Sequence, residues 1–237
     1  MARTELMLSP LNYEFDDAKN TLASHLVDRL REEILAGNLA PGSKINVENI
    51  RRNFGVSLSP LREAFSRLIA VGLVELHDNK GYSVAPISLS NLIEITQLRV
   101  DFESLALSNA IARGDINWES DVMRAVYKLN RIVRDQNDVK SLDAWERAHR
   151  QFHLTLIAGS KMPMLVNFCD ILHNLNDRYR RIFLVKRGGD RNVAAEHSEI
   201  AQAAVARDSA FACEKLREHI QRTGTNLKQI LSNQIPA

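Results

Sequence analysis

The sequence predicts a mainly α-helical chain in two parts, an N-terminal winged helix-turn-helix and a C-terminal antiparallel bundle of six helices. Three observations carry that prediction. Between residues 22 and 69, apolar residues recur at helical spacing in three runs broken by Gly37 and Gly55. Two short stretches suited to strands, residues 73–76 and 82–85, then flank a polar loop that ends in Lys80-Gly81. Beyond Pro86 the pattern is helical throughout, punctuated at Gly114, Gly159, Pro163 and Gly188-Gly189.

The elements follow in order. A polar lead over residues 1–20 is expected to be disordered. Leu22, Leu26, Leu30 and Ile34 mark a first helix that Gly37 ends, and Pro41-Gly42 is a turn. Asn46 is the expected N-cap of a second helix reaching Phe54. The Gly55 turn feeds a third helix from Ser57 or Ser59, burying Leu61, Ala64, Phe65, Leu68 and Ile69. Its other face presents Leu58, Ser59, Arg62, Glu63, Ser66 and Arg67, whose hydroxyl and guanidinium groups suit phosphates and base edges. With the hairpin, this is a DNA-reading unit over residues 21–86. Ser88 or Ser90 caps the first helix of a second domain, residues 87–237, whose helices are expected at about 90–113, 117–135, 141–160, 163–186, 192–207 and 209–231.

Composition narrows the class without naming it. The 237 residues are 45% hydrophobic and 25% charged, ordinary for a soluble protein with a sizeable core. No run approaches the roughly 18 apolar residues of a membrane span, and the acidic N-terminus lacks the plan of a signal peptide, so a cytoplasmic location is expected. Cys169 and Cys213 fall in separate helical patterns, which favours two core thiols over a disulfide. Bulk charge does not identify a DNA-binder: residues 1–86 hold ten Lys/Arg against eleven Asp/Glu. Any electrostatic footprint is local.

The histidines are the second signal. Leu142, Trp145, His149, Phe152, His153 and Leu156 share one helical face, with His149 and His153 one turn apart. His197 stands in line with Ile200 and Ala204, and His219 with Leu216 and Ile220. Four imidazoles from three helices can converge as a site for zinc, nickel, copper or iron, or they can be core histidines with ordinary partners. His173 suits a solvated or supporting place better than a ligand's. Arg99 and Glu103 can form a simple i, i+4 pair.

From about Leu22 to Leu231 the chain resembles a GntR-family transcription regulator of the FadR subfamily with an FCD effector domain. The N-terminal carriers are the run from Ile34 to Gly42, then Phe54-Gly55-Val56-Ser57 and Pro60-Leu61-Arg62-Glu63-Ala64-Phe65. The C-terminal carriers are Arg99 with Glu103, Phe152-His153, Glu196-His197 and His219-Ile220, and six bundle helices resemble the shorter, VanR-like branch. The resemblance implies a homodimer, usually a repressor, on a pseudo-palindromic double-stranded DNA operator, responding to a small carboxylate effector. It implies metal ligands His149, His153, His197 and His219, with Arg99 gripping the effector.

This chain departs from the family pattern twice. His149 stands where relatives usually carry aspartate, which favours zinc or nickel over manganese and leaves the full +2 charge to attract an anion. Leu58 stands where relatives commonly carry arginine, so it can meet a thymine methyl but cannot read guanine. Arg62 is then the best base or phosphate reader, Ser57 and Ser59 suit phosphates, Arg51 and Arg52 the backbone, and Lys80-Gly81 the wing tip. Two rival readings are a metal sensor with the ion as effector and a metal-dependent helical hydrolase or lyase.

Overall fold

The structure is a computed structural model describing residues 21–135, 138–184 and 192–233. The expected polar lead, the far end of the fourth bundle helix and the Gly188-Gly189 break lie outside these residues. The chain divides into two compact units, with the boundary between Ile87 and Ser88.

In the first unit, α1 (Leu22–Leu35), α2 (Val47–Phe54) and α3 (Leu58–Ala70) precede β1 (Val74–His77) and β2 (Gly81–Val84). Asn46 caps α2, its side chain accepting from Asn49 N–H at 2.9 Å. Gly55 closes α2 at φ 64°, a left-handed conformation that costs glycine nothing. Ser57 occupies the N-cap of α3 without a side-chain capping bond, which leaves its hydroxyl available. Leu26, Leu30, Phe54, Leu61, Phe65, Leu68 and Leu73 form the core, whereas Ile69 is only half-buried. The strands sit one residue nearer the loop than the sequence pattern indicates, and they pair antiparallel from Val74 opposite Val84 to His77 opposite Gly81. Three backbone bonds tie β2 to the α1–α2 connection, Gly42 N to Val84 O, Ile45 N to Tyr82 O and Val84 N to Ser43 O. Tyr82 stacks on Phe65 at 4.5 Å, fixing the wing to α3.

The second unit holds α4 (Leu89–Arg113), α5 (Ile116–Arg131), α6 (Val139–Ala158), α7 (Pro163–Tyr179), α8 (Val193–Val205) and α9 (Ser209–Ser232), with a π-helical turn at Arg180–Leu184 after α7. Among the described residues the bundle thus has the six helices expected. Helix α4 lies against α9 and α7, and α5 lies against α6 and α8. The serine cap of α4 is Ser88, and Tyr179 steadies it by accepting from Ser88 N–H at 3.1 Å and donating to Asn91 Oδ1 at 2.9 Å. At the α4–α9 crossing, a Cβ on Gly224 would come within 2.5 Å of Thr96 Cγ2, so glycine is what lets these two helices approach. Cys169 and Cys213 are buried free thiols.

Candidate metal centre and nucleic-acid interface

The 3.6-residue period of α6 puts His149 and His153 on the face that packs inward with Phe152 and Leu156. His197 on α8 and His219 on α9 meet them, and all four residues are at most 3% exposed. One ligand atom from each ring lies within 4.8 Å of all the others. Ring centroids are 4.7 Å apart for His149 and His153, and again for His197 and His219.

The donor set fits a transition metal. Neither ring nitrogen of His149 has a hydrogen-bond partner among the described residues, although both are buried. A neutral imidazole stranded in this way is costly, and a Lewis-acidic ion would satisfy it. Burial, reinforced by the nearby Arg180 and the other histidines, holds His149 well below the usual imidazole range. Burial likewise pulls His153 down to about 4, against an upward pull from Glu103. Both rings are therefore neutral at neutral pH, the form that ligates metal. His219 carries the supporting contact typical of such ligands, with its Nδ1 2.9 Å from Glu196 Oε2. Trp145 stacks on His149 at 4.9 Å and closes that side.

Two expectations change on the structure. His173 is not solvated: it is 1% exposed, with Nε2 3.3 Å from Glu103 Oε1. The Arg99–Glu103 pair does form at i, i+4, but it is more than a simple helix pair: it is buried, at 2.6 Å, with Arg99 Nη2 left without a partner among the described residues. Burial alone would raise the Glu103 carboxyl, but Arg99, His173 and His153 hold it well below the ordinary range. Sequence reasoning missed the support given by Glu196 and Glu103, because both contacts join different helices and leave no periodic trace.

On the first unit, Ser57, Leu58, Ser59 and Arg62 are all exposed along the start of α3, and Lys80 ends the turn at the hairpin tip, with Gly81 already in β2 opposite His77. The arginines differ in availability. Arg51 is held by Glu48 through two bonds of 2.9 and 2.7 Å, and Arg52 lies 3.7 Å from the same carboxylate. Arg67 is tied to Glu63 and Ser24. Arg62 makes no ion pair among the described residues, so its guanidinium is free to meet a ligand.

A winged helix-turn-helix with such a face, carried in one chain with an all-helical domain, defines a two-domain DNA-binding transcription regulator. The sequence matches the gntR family of bacterial regulatory proteins over residues 22–84 and the FCD domain over residues 94–222. It is 34% identical to an HTH-type transcriptional regulator named BphR of Paraburkholderia xenovorans, over 85% of this chain and 83% of that one. It is also 34% identical to the transcriptional repressor GlaR of Escherichia coli, over 81% of this chain and 89% of that one. In fold it is similar to McbR/YncC of E. coli, with a TM-score of 0.74 at 21% identity, covering 89% of this chain and 98% of that one. The chain belongs to the GntR family, in the group with an FCD domain, and it is a DNA-binding transcription regulator, not an enzyme.

Proposed function

We propose that this regulator is a cytoplasmic, homodimeric repressor whose grip on a pseudo-palindromic operator is set by a small carboxylate held in the helical domain at a zinc or nickel ion. The observation that carries the reading is the buried cluster of His149, His153, His197 and His219, with their ligand atoms within 4.8 Å of one another and His149 lacking other partners among the described residues. Such an ion, when bound, supplies a Lewis-acidic position for an anionic oxygen. The residues do the rest. Four neutral imidazoles leave the ion's charge undiminished, Arg99 offers a buried guanidinium with a donor to spare, and the surrounding apolar core excludes water.

At the operator, two copies of α3 enter successive major grooves. Arg62 takes a base edge or phosphate, Ser57 and Ser59 take phosphates, and Leu58 packs on a thymine methyl or sugar. Arg51 and Arg52 meet the backbone once Glu48 is displaced, and the Lys80-Gly81 tip enters the minor groove. Repression is the sense that the relative GlaR, a named repressor, supports.

Elemental analysis of the purified protein, combined with mass spectrometry of small acids released on denaturation, tests the reading. The expected result is one zinc or nickel ion per chain and a co-released carboxylic acid. Protein free of transition metal after expression in metal-replete medium, and unable to take up added zinc, overturns it.

A further inference from the structure

Glu103 stands at the junction between the histidine cluster and Arg99. It is fully buried on α4, and groups from α4, α6 and α7 converge on its two oxygens. Arg99 Nε donates to Oε1 at 2.6 Å, and His173 Nε2 lies 3.3 Å from that same oxygen. His153 Nδ1 lies 3.3 Å from Oε2. Nδ1 is the ring nitrogen facing the carboxylate, a 3.3 Å approach short of full hydrogen-bond geometry, which leaves Nε2 to serve the cluster, and both nitrogens are buried without a hydrogen bond among the described residues.

Two physical consequences follow from one carboxylate in this place. A carboxylate behind an imidazole fixes its tautomer and raises the basicity of the opposite nitrogen, which strengthens a metal bond there. The same carboxylate takes up much of the Arg99 charge and repels any second carboxylate brought to that guanidinium. We propose that Glu103 is the positioning residue of this centre, holding His153 for the metal while competing with the anionic effector for Arg99. The proposal rests on the metal-centred reading above. A second cation among Glu103, His153 and His173 is the rival use of these atoms, and their donor types suit one. The guanidinium of Arg99, bonded to the same carboxylate, opposes a further positive charge, and His153 could ligate in both places only by giving up its ring N–H proton to become a bridging imidazolate.

The test uses the full chain and its Glu103→Gln variant, with zinc as the metal probe and acetate as the carboxylate probe. The variant is expected to bind zinc about 10- to 100-fold more weakly in a chelator competition. Loaded with cobalt and titrated with acetate by visible absorption, it is expected to bind acetate about 5-fold more tightly, since a like charge has gone. Opposite signs are the signature, because general loosening of the core weakens both. Parallel losses, or unchanged zinc affinity in a variant whose parent binds zinc, overturn this proposal alone. A parent that takes up no zinc overturns the metal-centred reading and this proposal with it. Two zinc ions per chain, the second lost in the variant, make Glu103 a ligand and also overturn it. If the variant does not fold, long-range nitrogen–proton NMR of the zinc-loaded parent decides: His153 must carry its proton on Nδ1, and a proton on Nε2 refutes the proposal.

Discussion

Arg62 shows how one side chain gains weight from what its neighbours do. Arg51 and Arg67 are engaged by Glu48 and Glu63, and Leu58 offers no donor, so the exposed start of α3 has one unpaired guanidinium with which to read DNA. Replacing Arg62 with alanine is expected to weaken operator binding by about 1–3 kcal/mol, with little loss of thermal stability, because the side chain is exposed. Anisotropy titrations at fixed salt read this directly, and equal affinities in parent and variant would remove Arg62 from the reading face. The residue's place was legible in the sequence, since helical periodicity alone sends it outward while Leu61 and Phe65 go in. Its freedom was not, because that depends on which carboxylates reach which arginines. The four clustered histidines were legible for the same periodic reason, each lying on an apolar stripe. Glu103, His173 and Glu196 acquired their places only through packing between helices.

Among the elements, α7 is the helix whose second half buries the most polar side chains. That half buries His173 and Asn174, then, past the half-buried Leu175, Asn176, Asp177 and Arg178, and Arg180 follows in the π-helical turn. No two-faced pattern predicts burial of so many neighbouring polar residues, so the sequence could place the helix without showing how deeply it is set. The charges there are matched by partners from other elements, with Arg180 on Glu146 at 3.1 Å, Arg181 on Asp143 at 2.9 Å and Arg150 on Asp170. Asp177 is the exception in energy. Burial, then the nearby Glu146, push its carboxyl up to about 6 despite three surrounding arginines. A carboxyl raised in the folded state keeps its proton there after the unfolded chain has released its own. Stability is therefore lost as pH climbs from about 4 through about 6, and the deficit persists above that range. Asp177→Asn removes the ionisation while keeping the shape. It is expected to raise stability at pH 7.5 by up to about 3 kcal/mol, with a smaller gain at pH 5. Thermal melts of metal-free protein at the two pH values check this, and a gain independent of pH would assign the effect to packing instead.

For the whole molecule, the separation of roles between the two units yields the sharpest expectation. The first unit has its own core, built from Leu26, Phe65 and Leu68, and its reading face is formed by its own residues. A carboxylate effector can alter DNA binding only through its different affinity for two arrangements of the dimer, and a coupling of about 1–3 kcal/mol changes occupancy roughly 5- to 150-fold. Replacing His153 and His219 together with glutamine takes one proposed ligand from α6 and one from α9, and leaves two imidazoles, too few to hold an ion firmly. The doubly substituted protein is expected to lose bound metal and all response to the released acid, yet to hold the operator as tightly as metal-stripped parent. Metal analysis and anisotropy on one preparation give both readouts. Full metal stoichiometry in the double variant would sink the ligand assignment. Metal loss accompanied by collapse of operator binding would instead mean that the helical domain needs its ion to dimerise, and that the two roles are not separable as the two cores imply.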